Sequence, residues 1–158
     1  TILGAGSNTL IRDGGVEGIT IKLSSHFSYL NLLSENIIEV GAATLDKKIA
    51  NFALENSLTG LEFLSCIPGS IGGAIRINSG CYGQDISQIL YSVKVLDIYG
   101  HEKNISASDI KFNYRDSNLD KSLIITSVKL QGKDSVKEKI QNKQQKLIIK
   151  KKNLNQVK

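Results

Sequence analysis

The 158-residue chain has only two cysteines, two histidines and one proline, and no apolar run approaches the ~20 residues that a membrane-spanning helix requires. Cys66 and Cys81 are too few to staple a fold of this length, so they read as buried reduced thiols. His26 and His101 lie far apart, and neither stands in a metal-ligand or triad spacing with the cysteines. No metal site is expected, and both histidines read as surface or structural. TILGAGSN at the start lacks the basic, apolar and small-residue blocks of a secretion signal, which points to the cytoplasm and makes Asn104-Ile105-Ser106 an incidental glycosylation triplet. Membrane association is not expected.

A formal charge of +5 would suggest an anionic partner, but its distribution argues otherwise. Residues 133–158 carry nine lysines against Asp134 and Glu138, a local net of +7, and the remainder nets −2. That tail has no aromatic residue on which a base could stack, so a solvated helical face is the better reading and nucleic acid is not an expected partner.

Composition, 41% hydrophobic and 22% charged, is that of a globular protein with a buried core. Residues 1–3 read as the end of a buried strand running straight into GAGSN, which suggests that the natural start of the domain is missing. Strand-like runs follow at 19–23, 27–33 and 37–40, the last two separated by the turn-prone Ser34, Glu35 and Asn36. Thr44 is a good helix N-cap, Asp46 suits a first turn, and Leu45, Ile49, Phe52 and Ala53 recur at helical spacing until Gly60. Runs at 89–96, 102–105 and 123–130 predict further strands, with Tyr99-Gly100 as a hairpin turn and Ser106 with Asp109 as a short capped turn. Beyond Gly132, Val136, Ile140 and Leu147 share one side of a lysine-rich helix. The organisation expected is α+β: residues 1–58 as the later part of one subdomain, 59–132 as a second, and 133–158 as a helix opening a largely absent third.

Six of the fourteen glycines and the sole proline fall within 60–83, in LTGLEFLSCIPGSIGGAIRINSGCYG. Such density signals backbone specialisation, since glycine admits positive φ and close approach of main-chain N–H groups to an anion. GAGSN (residues 4–8) and PGSIGG (residues 68–73) are two such turns, each with a serine hydroxyl to add, and two turns closing on one diphosphate would outdo either alone. A dinucleotide-binding G-x-G-x-x-G is excluded: Thr9 stands in the third position, no helical run follows Asn8, and no acidic residue lies about twenty positions on. G-x-x-x-x-G-K-[ST] is absent as well, which argues against phosphoryl transfer from ATP. In KFNYRDS, Arg115 beside Tyr114 could hold a carboxylate through two directed hydrogen bonds, or simply pair with Asp116. Arg76 has the same double reading, phosphate neutralisation or a salt bridge.

In order and spacing, GAGSNTLIRDGG, GLEFLSCIPGSIGGAIRINSGCYG, SVKVLDIYG and FNYRDS resemble the UDP-N-acetylenolpyruvoylglucosamine reductase (UDP-N-acetylmuramate dehydrogenase) family. The resemblance implies an FAD-binding fold of the vanillyl-alcohol-oxidase (PCMH) type, in which two α+β subdomains clasp the flavin. It places Gly4, Ala5, Gly6, Ser7, Asn8, Thr9 and Leu10 around the FAD pyrophosphate. Ile67, Pro68, Gly69, Ser70, Gly72, Gly73, Ala74, Asn78 and Gly80 would line the other side of the cofactor. It further implies that NADPH donates a hydride through the flavin to UDP-N-acetylglucosamine enolpyruvate, in peptidoglycan precursor synthesis, by a monomeric enzyme. Arg115 matches the family's arginine that steadies developing negative charge on the substrate carboxylate, with Tyr114 as a neighbouring wall. The family's proton-donating serine and late glutamate lie beyond the matched region. Two alternatives stay open: another FAD-dependent sugar or alcohol oxidase, with Cys66 or Cys81 as a possible flavin attachment point, and a non-catalytic nucleotide-binding module docking through its lysines.

Overall fold

The computed structural model describes residues 1–34 and 36–155. Glu35, within the expected 34–36 turn, and Lys158, of the basic tail, lie outside the described residues. The chain opens with two short strands, β1 (Ile2–Leu3) and β2 (Ile21–Lys22), which pair in parallel with Ile2 opposite Ile21. A buried first strand was the expectation from sequence. Ile2 is instead 39% exposed, in a two-stranded sheet where β2 is the one described strand beside it.

Chain order then gives β3 (Leu30–Ser34), β4 (Ile37–Gly41), α1 (Asp46–Glu55), β5 (Leu58–Thr59), α2 (Ile71–Arg76), β6 (Gly80–Cys81) and β7 (Gln84–Asp85). It continues through β8 (Leu90–Leu96), β9 (Glu102–Ser106), β10 (Phe112–Asn113), β11 (Asp116–Ser117), β12 (Ile124–Gln131), β13 (Lys133–Asp134) and α3 (Lys137–Asn155). Five of the strands make one antiparallel sheet in the order β3-β4-β12-β8-β9. Every second side chain of β4 and β8 faces the core, which buries Ile38, Val40, Val93 and Val95. In β12 the register slips between Ile125 and Ser127, and Thr126 turns its hydroxyl onto the Lys94 carbonyl at 3.2 Å. The sheet runs across the 58/59 position at which the sequence suggested a division, since Val40 pairs with Val128. One continuous apolar cluster, from Ile38 to Leu130, lies on it.

The helices complete the layer over that sheet. α1 buries Ile49, Ala50 and Ala53 on one face. It starts at Asp46 rather than on a Thr44 cap: the Thr44 hydroxyl donates to the Tyr29 carbonyl at 3.2 Å, and the Asp46 N–H donates to the Gly69 carbonyl at 3.1 Å. A distant loop therefore does what a local cap would have done, which sequence periodicity could not indicate. α3 packs against α1 and the 3₁₀ turn Glu62–Cys66, burying Ile140. Val136, expected on its apolar side, is exposed just before the helix begins. Lys143 pairs with the buried Glu62 at 3.0 Å, and Gln144 donates to Asn51 at 3.0 Å. Burial works to raise the Glu62 carboxyl, but hydrogen bonds from Thr59, its own backbone and Lys143 bring it below its ordinary value.

Candidate functional site

The two glycine-rich turns meet. After β1 the chain bends at residues 4–9, with Gly6 at φ +79° and the Thr9 N–H donating to the Gly6 carbonyl at 3.3 Å. No helix follows, in keeping with the exclusion of a dinucleotide-binding turn. Ser7 Oγ donates to the Pro68 carbonyl at 2.8 Å, joining residues 61 positions apart. A Cβ on Gly4 would come within 3.0 Å of Ser70 Oγ, and one on Gly69 within 3.1 Å of Ser7 Oγ. Gly69 also sits at φ +141°, a conformation that suits glycine. A side chain at Gly69 would be strained by that φ and would crowd Ser7, and one at Gly4 would require Ser70 Oγ to give way by a few tenths of an ångström.

Between these turns, β2 and the sheet lies a cleft of about 660 Å³. Gly4 and Ala5 line it from the first turn, Ser70, Gly72 and Gly73 from the second. Leu3, Leu23, Leu123 and Ile125 give it apolar walls, and Lys22, Arg76 and Lys121 ring it with positive charge. Apolar walls with a few polar groups and cations suit a ligand that is part flat and apolar, part anionic. The main-chain donors are more restricted than the motif suggested: the N–H groups of Ile71 and Gly72 are already bonded to the Thr44 and Ala42 carbonyls, both at 3.0 Å.

The remaining expected site residues divide. Gly6, Ser7, Asn8, Thr9 and Leu10 form the exposed outer part of the first turn, with Leu10 95% exposed. Ile67, Pro68 and Gly69 support the second turn, and Ala74 is buried in α2. None of these lines the cleft, although Gly6, Ser7, Pro68, Gly69 and Ala74 are close in the chain to Ala5, Ser70 or Gly73, which do. Asn78 and Gly80 stand apart. The Asn78 amide is used at both ends, accepting from Ser87 N–H at 3.1 Å and donating to the Asn113 carbonyl at 3.3 Å. Gly80 is squeezed in the β6–β7 hairpin, where a Cβ would fall 2.4 Å from the Gln84 carbonyl.

Arg115 is at the tip of the β10–β11 hairpin, at φ +58°, beside Tyr114, which is 91% exposed. Its guanidinium lies 5.7 Å from the Tyr114 ring centroid and donates to the Gly80 carbonyl at 3.4 Å. No ion pair with Asp116 occurs among the described residues. Arg76 is held differently. Its guanidinium donates to the carbonyls of Leu119 at 2.9 Å, Asp120 at 2.7 Å and Leu123, tying the 119–123 loop to the cleft wall. Burial pulls it below its ordinary value, partly offset by Asp120.

Sequence reading missed Asp46 as anything but a first-turn acid. The side chain is fully buried, neither oxygen has a hydrogen-bond partner among the described residues, and Oδ2 is 3.5 Å from where a Cβ would stand on Gly69. Burial pushes its carboxyl up to about 7. Its only sequence signal was position, well before Gly69 in the chain, which carries no information about contact. Cys66 and Cys81 are both free thiols, and burial first, then Cys66, pushes the Cys81 thiol up to about 11. No group of metal-ligating residues occurs among the described residues, and no described helix is long and apolar enough to cross a membrane.

The FAD binding domain family matches residues 1–106. UDP-N-acetylenolpyruvoylglucosamine reductase of Pelagibacter ubique is 44% identical over 141 residues, covering 89% of this chain and 47% of that protein. Its counterpart in Orientia tsutsugamushi strain Boryong is 45% identical over 148 residues, 89% of this chain and 49% of the relative. The crystal structure of UDP-N-acetylenolpyruvylglucosamine reductase from Thermus caldophilus superposes with a TM-score of 0.87 at 32% identity, covering 96% of this chain and 55% of that one. The chain thus spans about half the length of the relatives it matches. With its antiparallel sheet and covering helices it has the α+β FAD-binding fold of the vanillyl-alcohol-oxidase type, and it belongs to the UDP-N-acetylenolpyruvoylglucosamine reductase family.

Proposed function

We propose that this chain is the flavin-holding part of an NADPH-dependent reductase acting on UDP-N-acetylglucosamine enolpyruvate in peptidoglycan precursor synthesis. The observation that carries the reading is the direct contact of the two glycine turns through Ser7 and Pro68, beside a cleft edged with cations. FAD fits the chain's own chemistry there: two cradles that a Cβ would fill, an apolar wall for a flat ring, and Lys22, Arg76 and Lys121 to offset two phosphate charges. Gly4, Ala5, Ser70 and Gly73 would hold the diphosphate, with Gly72 lining the cleft beside them and Ser7 and Pro68 bracing the turns.

Bound there, the flavin supplies reversible two-electron chemistry. The chain's residues supply position and charge. Arg115, held beyond the cleft on a short hairpin, presents a permanent cation whose one hydrogen bond among the described residues is a long one to the Gly80 carbonyl, so its remaining N–H groups can bind a substrate carboxylate. Negative charge that develops next to that carboxylate during reduction is then stabilised by a fixed group rather than by reorganising water. Tyr114 packs beside the guanidinium and limits its directions. Protonation of the substrate carbon requires an acid that none of the residues assigned above provides.

The test is spectroscopic. Purified protein should show flavin absorbance, bleach with NADPH and recolour on adding UDP-N-acetylglucosamine enolpyruvate. Bleaching that reverses only with oxygen would favour a sugar or alcohol oxidase. Absence of flavin absorbance even after incubation with FAD would reject the proposal.

A further inference from the structure

Asp46 has no part in the function just described, yet its placement is costly for the protein. A carboxylate taken from water into a site with no donor to meet it destabilises the fold unless it is neutral. This one stands at the first residue of α1 with both oxygens buried and unpartnered among the described residues. It abuts the place where the two glycine turns meet: its N–H bonds the Gly69 carbonyl, and its Oδ2 and Ser7 Oγ both approach the position that a Gly69 side chain would take, at 3.5 and 3.1 Å.

The charged groups around it do not relieve it. On its own helix Lys47 and Lys48 are exposed to solvent. On the packed turn 62–66, Glu62 is paired with Lys143 of α3. Neither glycine turn contains an ionisable side chain. On α2, Arg76 is held by the carbonyls of the 119–123 loop. Burial alone shifts the carboxyl, with no compensating cation.

We propose that Asp46 is a positioning residue which must be protonated for a diphosphate to seat on the crossed turns, so that cofactor loading takes up a proton from solvent. This rests on the FAD reading above. Like charges connect the two: a diphosphate held at Ser70 and Gly73 brings two negative charges to the turn against which the buried carboxyl packs at Gly69, and a neighbouring anion disfavours the ionised form. Near neutral pH the carboxyl without ligand is divided between its two forms, since burial has already brought it to about 7. Seating the anion draws it to the neutral form, and affinity falls as pH rises.

The experiment measures FAD affinity by flavin fluorescence between about pH 6 and 8.5, for the protein and for Asp46→Asn. Calorimetric titration in two buffers of different ionisation enthalpy, at a pH just above neutral, adds the proton count. The protein should bind FAD roughly tenfold more weakly at the upper end, and take up about half a proton or more per FAD. Asp46→Asn should show neither the pH dependence nor the uptake. Should the variant fail to fold, the proton count on the unaltered protein still decides. FAD binding that is independent of pH and takes up no proton, or uptake that persists in Asp46→Asn, overturns this inference and leaves the flavin reading standing. Failure to bind FAD at any pH overturns both.

Discussion

Replacing Asp46 by asparagine should make the protein's stability less sensitive to pH, whether or not a ligand is present. In the folded chain the carboxyl titrates at about 7, against 3.8 for the unperturbed group. Between those values the folded state holds a proton that the unfolded state has released, so stability falls as pH rises across the window and levels off above it. Three pKa units at 1.36 kcal/mol each give a penalty of about 4 kcal/mol above neutrality, of which roughly 2.5 kcal/mol develops between about pH 5 and 8. The asparagine side chain would be neutral throughout and nearly the same shape, but its amide would also lack partners, at a cost of ~1–3 kcal/mol. The variant should therefore be slightly less stable than the original near pH 5 and level with it or more stable near pH 8. Urea unfolding of both proteins at several pH values measures this, because the difference between them isolates Asp46 from other titrating groups. Stability curves that run parallel across the range would refute the argument that the carboxyl is buried without a partner.

Other perturbations test separate parts of the structure. Gly69→Ala places a methyl group 3.1 Å from Ser7 Oγ at a φ of +141°, and should cost ~1–3 kcal/mol of stability and most of the flavin affinity, read by thermal unfolding and by retained absorbance. Ser7→Ala removes one exposed hydrogen bond between the turns, so stability should drop by only about 0.5–1 kcal/mol while the FAD dissociation constant rises several-fold. Lys143→Ala strips the buried Glu62 of its cation. As Lys143 is half exposed, a loss of about 1–2 kcal/mol is expected, fading in acid as Glu62 becomes protonated, and hydrogen exchange should rise along α3. Arg115→Ala should bind FAD normally and lose on the order of 10²–10³ in turnover of the enolpyruvyl substrate; unchanged turnover would remove Arg115 from the site.

Local features of the fold were legible in the sequence where the cause is local. Tyr99-Gly100 does turn the β8–β9 hairpin, with Gly100 at φ +84° and Asp97 accepting from the N–H groups of Tyr99 and His101. Ser106 does cap the turn at 107–109, and 137–155 is the lysine-rich helix. Both glycine turns stood out, because glycine density reports on backbone demands that no side chain can meet. What failed to show was pairing at a distance. β4 and β12 lie far apart in the chain, and nothing in either run names the other, so their pairing was not legible. Thr44 looked like a cap because caps are recognised from neighbours in sequence, whereas here the helix start is satisfied by Gly69. Asp46 was invisible for the same reason: burial is set by the turns that close over it. Arg115 was readable as a residue of interest but not as one supported from Gly80, 35 positions away.

The crossing of the turns is tested most directly by a crystal structure of the protein with FAD. The diphosphate should lie in the cleft, within hydrogen-bond reach of Gly4 or Ala5 on one side and of Ser70 or Gly73 on the other. A flavin bound elsewhere, or a diphosphate held by only one of the two turns, would contradict the account.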